Sequence, residues 1–210
     1  MNTELFECKR LTIGILYQPR TIPHSLLNQM YADITKKYPY GNLQHLPDGV
    51  RMANANTNDF FIQNGRMQVN ENVEYFHAAK SKAMDLFSIA QKSLRINQFA
   101  ASGVKIIAAL PTEKNEAGNI LMDNAFGNLK DKTSLLGDGF RGMGMRIMLH
   151  TQNVRQIKIE PFFGDLSSVF VEVDTQYPKQ FTDINDVENY IDECYNYIFE
   201  NISSFLGALN

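Results

Sequence analysis

The last third of the chain constrains the fold most. Three strand-like runs, Met143–His150, Val154–Phe163 and Ser168–Gln176, follow one another and give way to one long amphipathic pattern, Asp183–Leu209. Val169, Val171 and Val173 alternate with Phe170, Glu172 and Asp174, the period of a sheet whose two faces differ. Ile184, Val187, Ile191, Cys194, Ile198, Ile202, Phe205 and Leu209 recur at helical steps and fall on one stripe. A meander followed by a helix that must bury a stripe predicts an α+β fold, with helices packed on a mainly antiparallel sheet.

The first half carries the same alternation of elements. Leu11–Tyr17 is an apolar run rich in β-formers, and Gln18-Pro19 closes it. Ile22-Pro23 opens a helix with Leu27, Met30, Tyr31 and Ile34 inward, stopped by Pro39. A short strand is expected around Val50–Ala53, and Asn64-Gly65 joins Asp59–Gln63 to Arg66–Asn70 as a hairpin. A helix over Val73–Ile96 and a buried strand over Gly103–Leu110 come next. This is a ferredoxin-like βαββαβ order with one inserted strand. Ile120–Leu136 is moderately helical and ends at Gly137. The polar stretch Thr112–Gly118 is the one place where the chain would divide. Because the last helix needs a sheet to cover, the expectation is a single α+β domain over residues 1–210.

Charge and cysteine content narrow the classes of function. A net charge of −3 argues against broad nucleic-acid affinity, which rests on Lys and Arg neutralising phosphates. It leaves room for a local basic patch. Cys194 lies on the apolar stripe of the last helix and reads as a small core hydrophobe, while Cys8 has no neighbouring base to activate it. Met1–Glu7 is acidic and polar, unlike a secretory signal, and no run of about eighteen apolar residues occurs. A cytoplasmic protein that does not enter the membrane is expected.

No residue set has the spacing of a known catalytic or metal site. Gly137-Asp138-Gly139-Phe140-Arg141-Gly142 matches G-x-G-x-x-G, but a helix-like run precedes it and a strand comes after it, the reverse of the dinucleotide-binding order. A turn is expected there, with Gly142 and Gly144 at a bulge or a close backbone approach. His24, His45, His77 and His150 are far apart and share no ligand spacing, so no metal and no cofactor is expected. Phe60, Phe61, Arg66 and Lys105 are the residues a nucleic-acid-binding sheet would use, yet the glycine/aromatic signature of such a strand is missing and Lys105 stands alone in an apolar run.

The polar faces of the meander form the best remaining constellation. Arg146, Glu160, Glu172 and Asp174, with His150 at a strand end and Lys158 among them, come from three consecutive strands. Simple hairpin pairing makes several of them neighbours, as an exposed charged face or a ligand-binding groove. Glu160 precedes Pro161, where a strand bends or lies at an edge. Tyr190 and Tyr197 widen the apolar surface of the last helix and suggest an oligomer interface. The expectation is a non-catalytic binding or scaffolding protein that acts through protein–protein contacts, with a protein partner or a second copy. Alternatives are an enzyme with a carboxylate/His site on the meander and a weak nucleic-acid-binding module.

Overall fold

Alternation of apolar and polar residues builds the sheet. In the computed structural model, which describes residues 2–54, 58–112 and 117–209, nine strands form one antiparallel sheet. They are β1 (Glu7–Tyr17), β2 (Asn42–Leu46), β3 (Gly49–Asn54), β4 (Asn58–Gln63), β5 (Arg66–Asn72), β6 (Phe99–Pro111), β7 (Met145–His150), β8 (Val154–Pro161) and β9 (Ser168–Tyr177). Their order across the sheet is β2-β3-β4-β5-β1-β6-β9-β8-β7. The helices are α1 (His24–Thr35), α2 (Phe76–Leu94), α3 (Ala117–Ala125), α4 (Asn185–Tyr197) and α5 (Ser203–Gly207).

The amino-terminal strands and the meander share this one sheet because β6 pairs with β1 on one side and β9 on the other. Directly opposed residues of an antiparallel pair point to the same face. Ile13, Val104 and Thr175 therefore make one inner row, and Leu11, Ile106, Val173 and Ile157 the next. These positions are buried, and the apolar ones belong to one cluster with Leu27, Leu86, Leu121 and Ile191 of the helices. The helices thus cover one face, and among the described residues the other face of the sheet carries no helix.

Four strands lie between α1 and α2, where the ferredoxin-like order placed fewer. The added one is β2, whose sequence NLQHL holds only two apolar residues and sits at the sheet edge with no buried position. Ile120–Leu136 is helical only in part: α3 begins at Ala117 and gives way to an exposed 3-10 stretch, Gly127–Leu136. Most of the polar break at 112–118 lies outside the described residues. The last helix departs from its expected stripe at a π-type turn, Ile198–Ile202. A wider turn adds a residue and rotates the remainder of the helix about its axis. Leu206 is consequently the buried residue and Phe205 is exposed.

Gly142 and Gly144 sit at close approaches, as their sequence context suggested. A Cβ on Gly142 would lie 2.7 Å from Pro161 and 2.8 Å from the Gly118 Cα, and one on Gly144 would lie 2.4 Å from the Glu160 Cβ. The G-x-G-x-x-G run leads into β7 rather than into a helix. No helix among the described residues is long and apolar enough to cross a membrane.

Burial gives the fold an alkaline limit. It pushes the Cys194 and Cys8 thiols up to about 12, and it raises the phenols of Tyr17, Tyr40 and Tyr177. Unfolded thiols and phenols ionise near 9 and 10, so above those values the unfolded chain holds fewer protons than the folded one. Stability from the two thiols is complete below pH 9 and is lost as pH rises from there toward 12, and that from the phenols begins to fall near pH 10. Cys194 alone contributes a slope of about 1.4 kcal/mol per pH unit in that window. Urea midpoints measured between about pH 8 and 11 are expected to fall steadily, and to fall less steeply in Cys194→Ala.

Candidate functional site

The uncovered face of the sheet mixes polar and charged residues with apolar ones such as Phe61, Ile107 and Met148. One row across it reads Asp59, Asn70, Thr12, Lys105, Asp174, Gln156 and Met148 from β4 to β7. A second reads Arg51, Phe61, Gln68, Gly14, Gly103, Gln176, Val154 and His150, from β3 to β7. Strand periodicity puts these residues outward because their neighbours in each strand are the core residues of the inner rows.

Two glycines face each other at the middle of the second row, Gly14 in β1 and Gly103 in β6. Neither has a φ that demands glycine, and neither is crowded: an added Cβ would meet only Gln68 Oε1 at 4.0 Å and the Thr175 carbonyl at 3.8 Å, respectively. The missing side chains leave a trough of about 600 Å³. Leu16, Ala101, Tyr177 and Pro178 line one end, and Thr12, Lys105, Asp174, Gln68, Gln176 and Arg66 supply its polar rim.

The rim is organised by hydrogen bonds within the face. On the β4–β5 side, Arg51 donates to Asp59 at 2.9 Å, Asn70 donates to the other oxygen of Asp59, and Gln68 donates to Asn70 at 3.0 Å. Arg66 then donates to Gln68 Oε1, the atom that stands beside Gly14. On the β9 side, Lys105 lies 3.0 Å from Asp174 and 3.7 Å from Glu172. Partial burial works against the charged form of Lys105, but its hydrogen bond to Asp174 and the two carboxylate charges outweigh this and raise its pKa. Lys105 does not stand alone, because an apolar run in a two-faced strand conceals which residue faces outward.

The residues singled out on the meander, Arg146, His150, Glu160, Glu172 and Asp174, all fall on this face, but not at one place. Glu160 pairs with Lys158 at 2.7 Å, and Arg146, Lys158 and Glu172 share one row. Arg146 donates to Gln156. Pro161 is the last residue of β8, so Glu160 stands at a strand end. His150 is not near it. It pairs with Val154, six residues from Glu160, which is about 20 Å along the strand. Tyr190 stacks on Tyr177 at 4.0 Å, and Arg155 covers the Tyr197 ring at 3.9 Å. Both rings thus have a partner inside the chain, and both keep partly exposed surface. Phe60 is a core residue, whereas Phe61 is on the uncovered face beneath Arg51.

Two features had no strong local signal in the sequence. His24 and His45 come together at 3.0 Å between their Nδ1 atoms, although they are 21 positions apart in the chain. No group of three or more potential metal ligands occurs among the described residues. The glycine pair had a weak signal, because a glycine inside an apolar strand marks a bulge or a close approach by another group. No protein-family model matches the chain, and no curated protein is similar to it.

A glycine in a strand interior costs about 0.5–1 kcal/mol relative to alanine. Both sites have room for a methyl group, so Gly14→Ala and Gly103→Ala are each expected to raise stability by about that amount. Thermal or urea unfolding measures this. A loss of stability in either variant would mean that the backbone itself requires glycine.

Proposed function

We propose that the chain is a non-catalytic binding or scaffolding protein, folded as a single unit, that takes a protein partner on the uncovered face of its sheet. The observation that carries this reading is the Gly14–Gly103 pair. Two adjacent central positions omit side chains that would fit and would add stability, and the space they leave is open to a group from outside. Stability foregone at a site with no internal reason is the mark of a functional surface.

The shape of the trough supports a macromolecular partner. A small-molecule site encloses most of its ligand in an apolar cavity. This one is a shallow hollow on a broad sheet with a polar rim, so it would cover one side of a ligand and leave the other to solvent. The enzyme reading has less support, since Glu160, Glu172 and Asp174 each face a lysine and His150 is at the far end of its strand. The nucleic-acid reading has less support, since Phe60 is a core residue and offers no ring to a base.

Amide chemical-shift mapping with a library of small soluble fragments tests the site. Fragments are expected to perturb Gly14, Gly103 and Leu16 in the wild type and to lose those shifts in Gly103→Val, whose side chain fills the floor. The variant should keep its fold, because a β-branched residue suits a strand. Fragment shifts that cluster elsewhere, or that survive in Gly103→Val, would overturn the assignment.

A further inference from the structure

Resting on that reading, we infer that the partner presents an acidic extended segment, with an aromatic residue laid on the glycine floor and a neighbouring carboxylate on Arg66. The inference comes from a charge balance. Among the described residues of the uncovered face, Asp59 has Arg51, Asp174 and Glu172 share Lys105, Glu160 has Lys158, and Glu7, opposite Ala109, has Lys9. Every one of these carboxylates has a cation within 4 Å. Arg10, which stands two residues before Thr12 in β1 and faces the same way, has no carboxylate partner among the described residues of that face, and neither have Arg66 and Arg146. Arg66 and Arg146 are held by the amides of Gln68 and Gln156. The face is thus left positive although the whole chain carries a net charge of −3.

Arg66 is the one of the three that reaches the trough. Its Nη donates to Gln68 Oε1, and that oxygen is the nearest atom to the space above Gly14. The amide therefore aims the guanidinium toward the floor and leaves its other donors for a ligand. A guanidinium held in this way suits a carboxylate, which it can engage through two parallel bonds. The floor itself favours a flat apolar group. A ring laid over glycines in a sheet covers exposed backbone that no side chain protects. Leu16, Ala101 and Pro178 extend the apolar area at one end. The two glycines let a partner come close to the backbone at the centre of that row, so an aromatic side chain with acidic neighbours in an extended segment meets both requirements. Arg10 and Arg146 then attract the flanking acidic residues at longer range.

Amide chemical-shift titration of the full chain with blocked peptides provides the test. The probes are Gly-Glu-Tyr-Glu-Gly, the same peptide with both Glu replaced by Gln, the same with Tyr replaced by Ala, one with both Glu replaced by Lys, and a ten-nucleotide oligothymidine. The acidic tyrosine peptide is expected to shift Gly14, Gly103 and Leu16, with affinity about tenfold higher than that of the Gln peptide. Arg66→Gln should remove that difference and leave the shifts of the Gln peptide intact. The alanine peptide should lose the shifts at the two glycines. Equal binding of the Glu, Gln and Lys peptides, or no binding of any, would overturn the inference. So would tighter binding of oligothymidine at the same amides. If fragments still occupy the trough while the acidic peptide shows no preference, only the partner assignment fails and the binding site stands.

Discussion

Strand β6 joins the two halves of the molecule, and everything else depends on its pairing. Without it the sheet would separate into β2-β3-β4-β5-β1 and β9-β8-β7, each with helices covering part of one side. Its inner residues Val104, Ile106, Ala108 and Leu110 are fully buried under the helical layer. Its outer residues Gly103, Lys105 and Ala109 are small or charged, with Ile107 the apolar exception among them. Both properties come from one alternation, so the strand that closes the core also shapes the uncovered face. Helix α4 locks this seam, since Cys194 lies within 4 Å of the carbonyls of Val104 and Val173 on the two paired strands.

The meander and the last helix were legible because each carries a strong period. Val169, Val171 and Val173 alternate with polar residues, and all three are buried. The stripe from Ile184 to Ile202 is likewise buried and fails only after the π-type turn, which changes the helical repeat by one residue. Sidedness in the first half was harder to read. Residues 103–110 are apolar apart from Lys105, because Gly, Ala and Ile occupy outer as well as inner positions. Lys105 was the marker of the outer face, and one charge in eight residues is a faint one. Strand β2 left no trace for the opposite reason: an edge strand that buries nothing needs no apolar pattern.

The candidate site was less legible than the fold. Meander residues Glu160, Glu172, Asp174 and Arg146 do share the uncovered face, since hairpin pairing is implied by their strand spacing. Gly14, Gln68 and Arg66 lie far away in sequence, and only the pairing of β1 with both β5 and β6 brings them to Gly103. Such a site is made by register. A shift of one residue between β1 and β6 would put Gly14 opposite an inner position and erase the trough.

Paired charges and unpaired charges do different work on this face. A lysine opposite a carboxylate at a partly exposed position contributes little to stability. A broad sheet face with no helix over it nevertheless has to stay hydrated, and rows of charges on adjacent strands oppose its stacking on another sheet. Lys105, shared by Asp174 and Glu172, leaves one negative charge, and the one-to-one pairs are close to neutral, so these groups create no positive field. The surplus guanidiniums do, and two of them are fixed by glutamine amides, which hold an arginine in place without cancelling its charge. Replacing Gln68 by a carboxylate would bind Arg66 more strongly and silence it. An amide at that position keeps the cation oriented and available, which is the property a surface needs when it must select the sign of its partner.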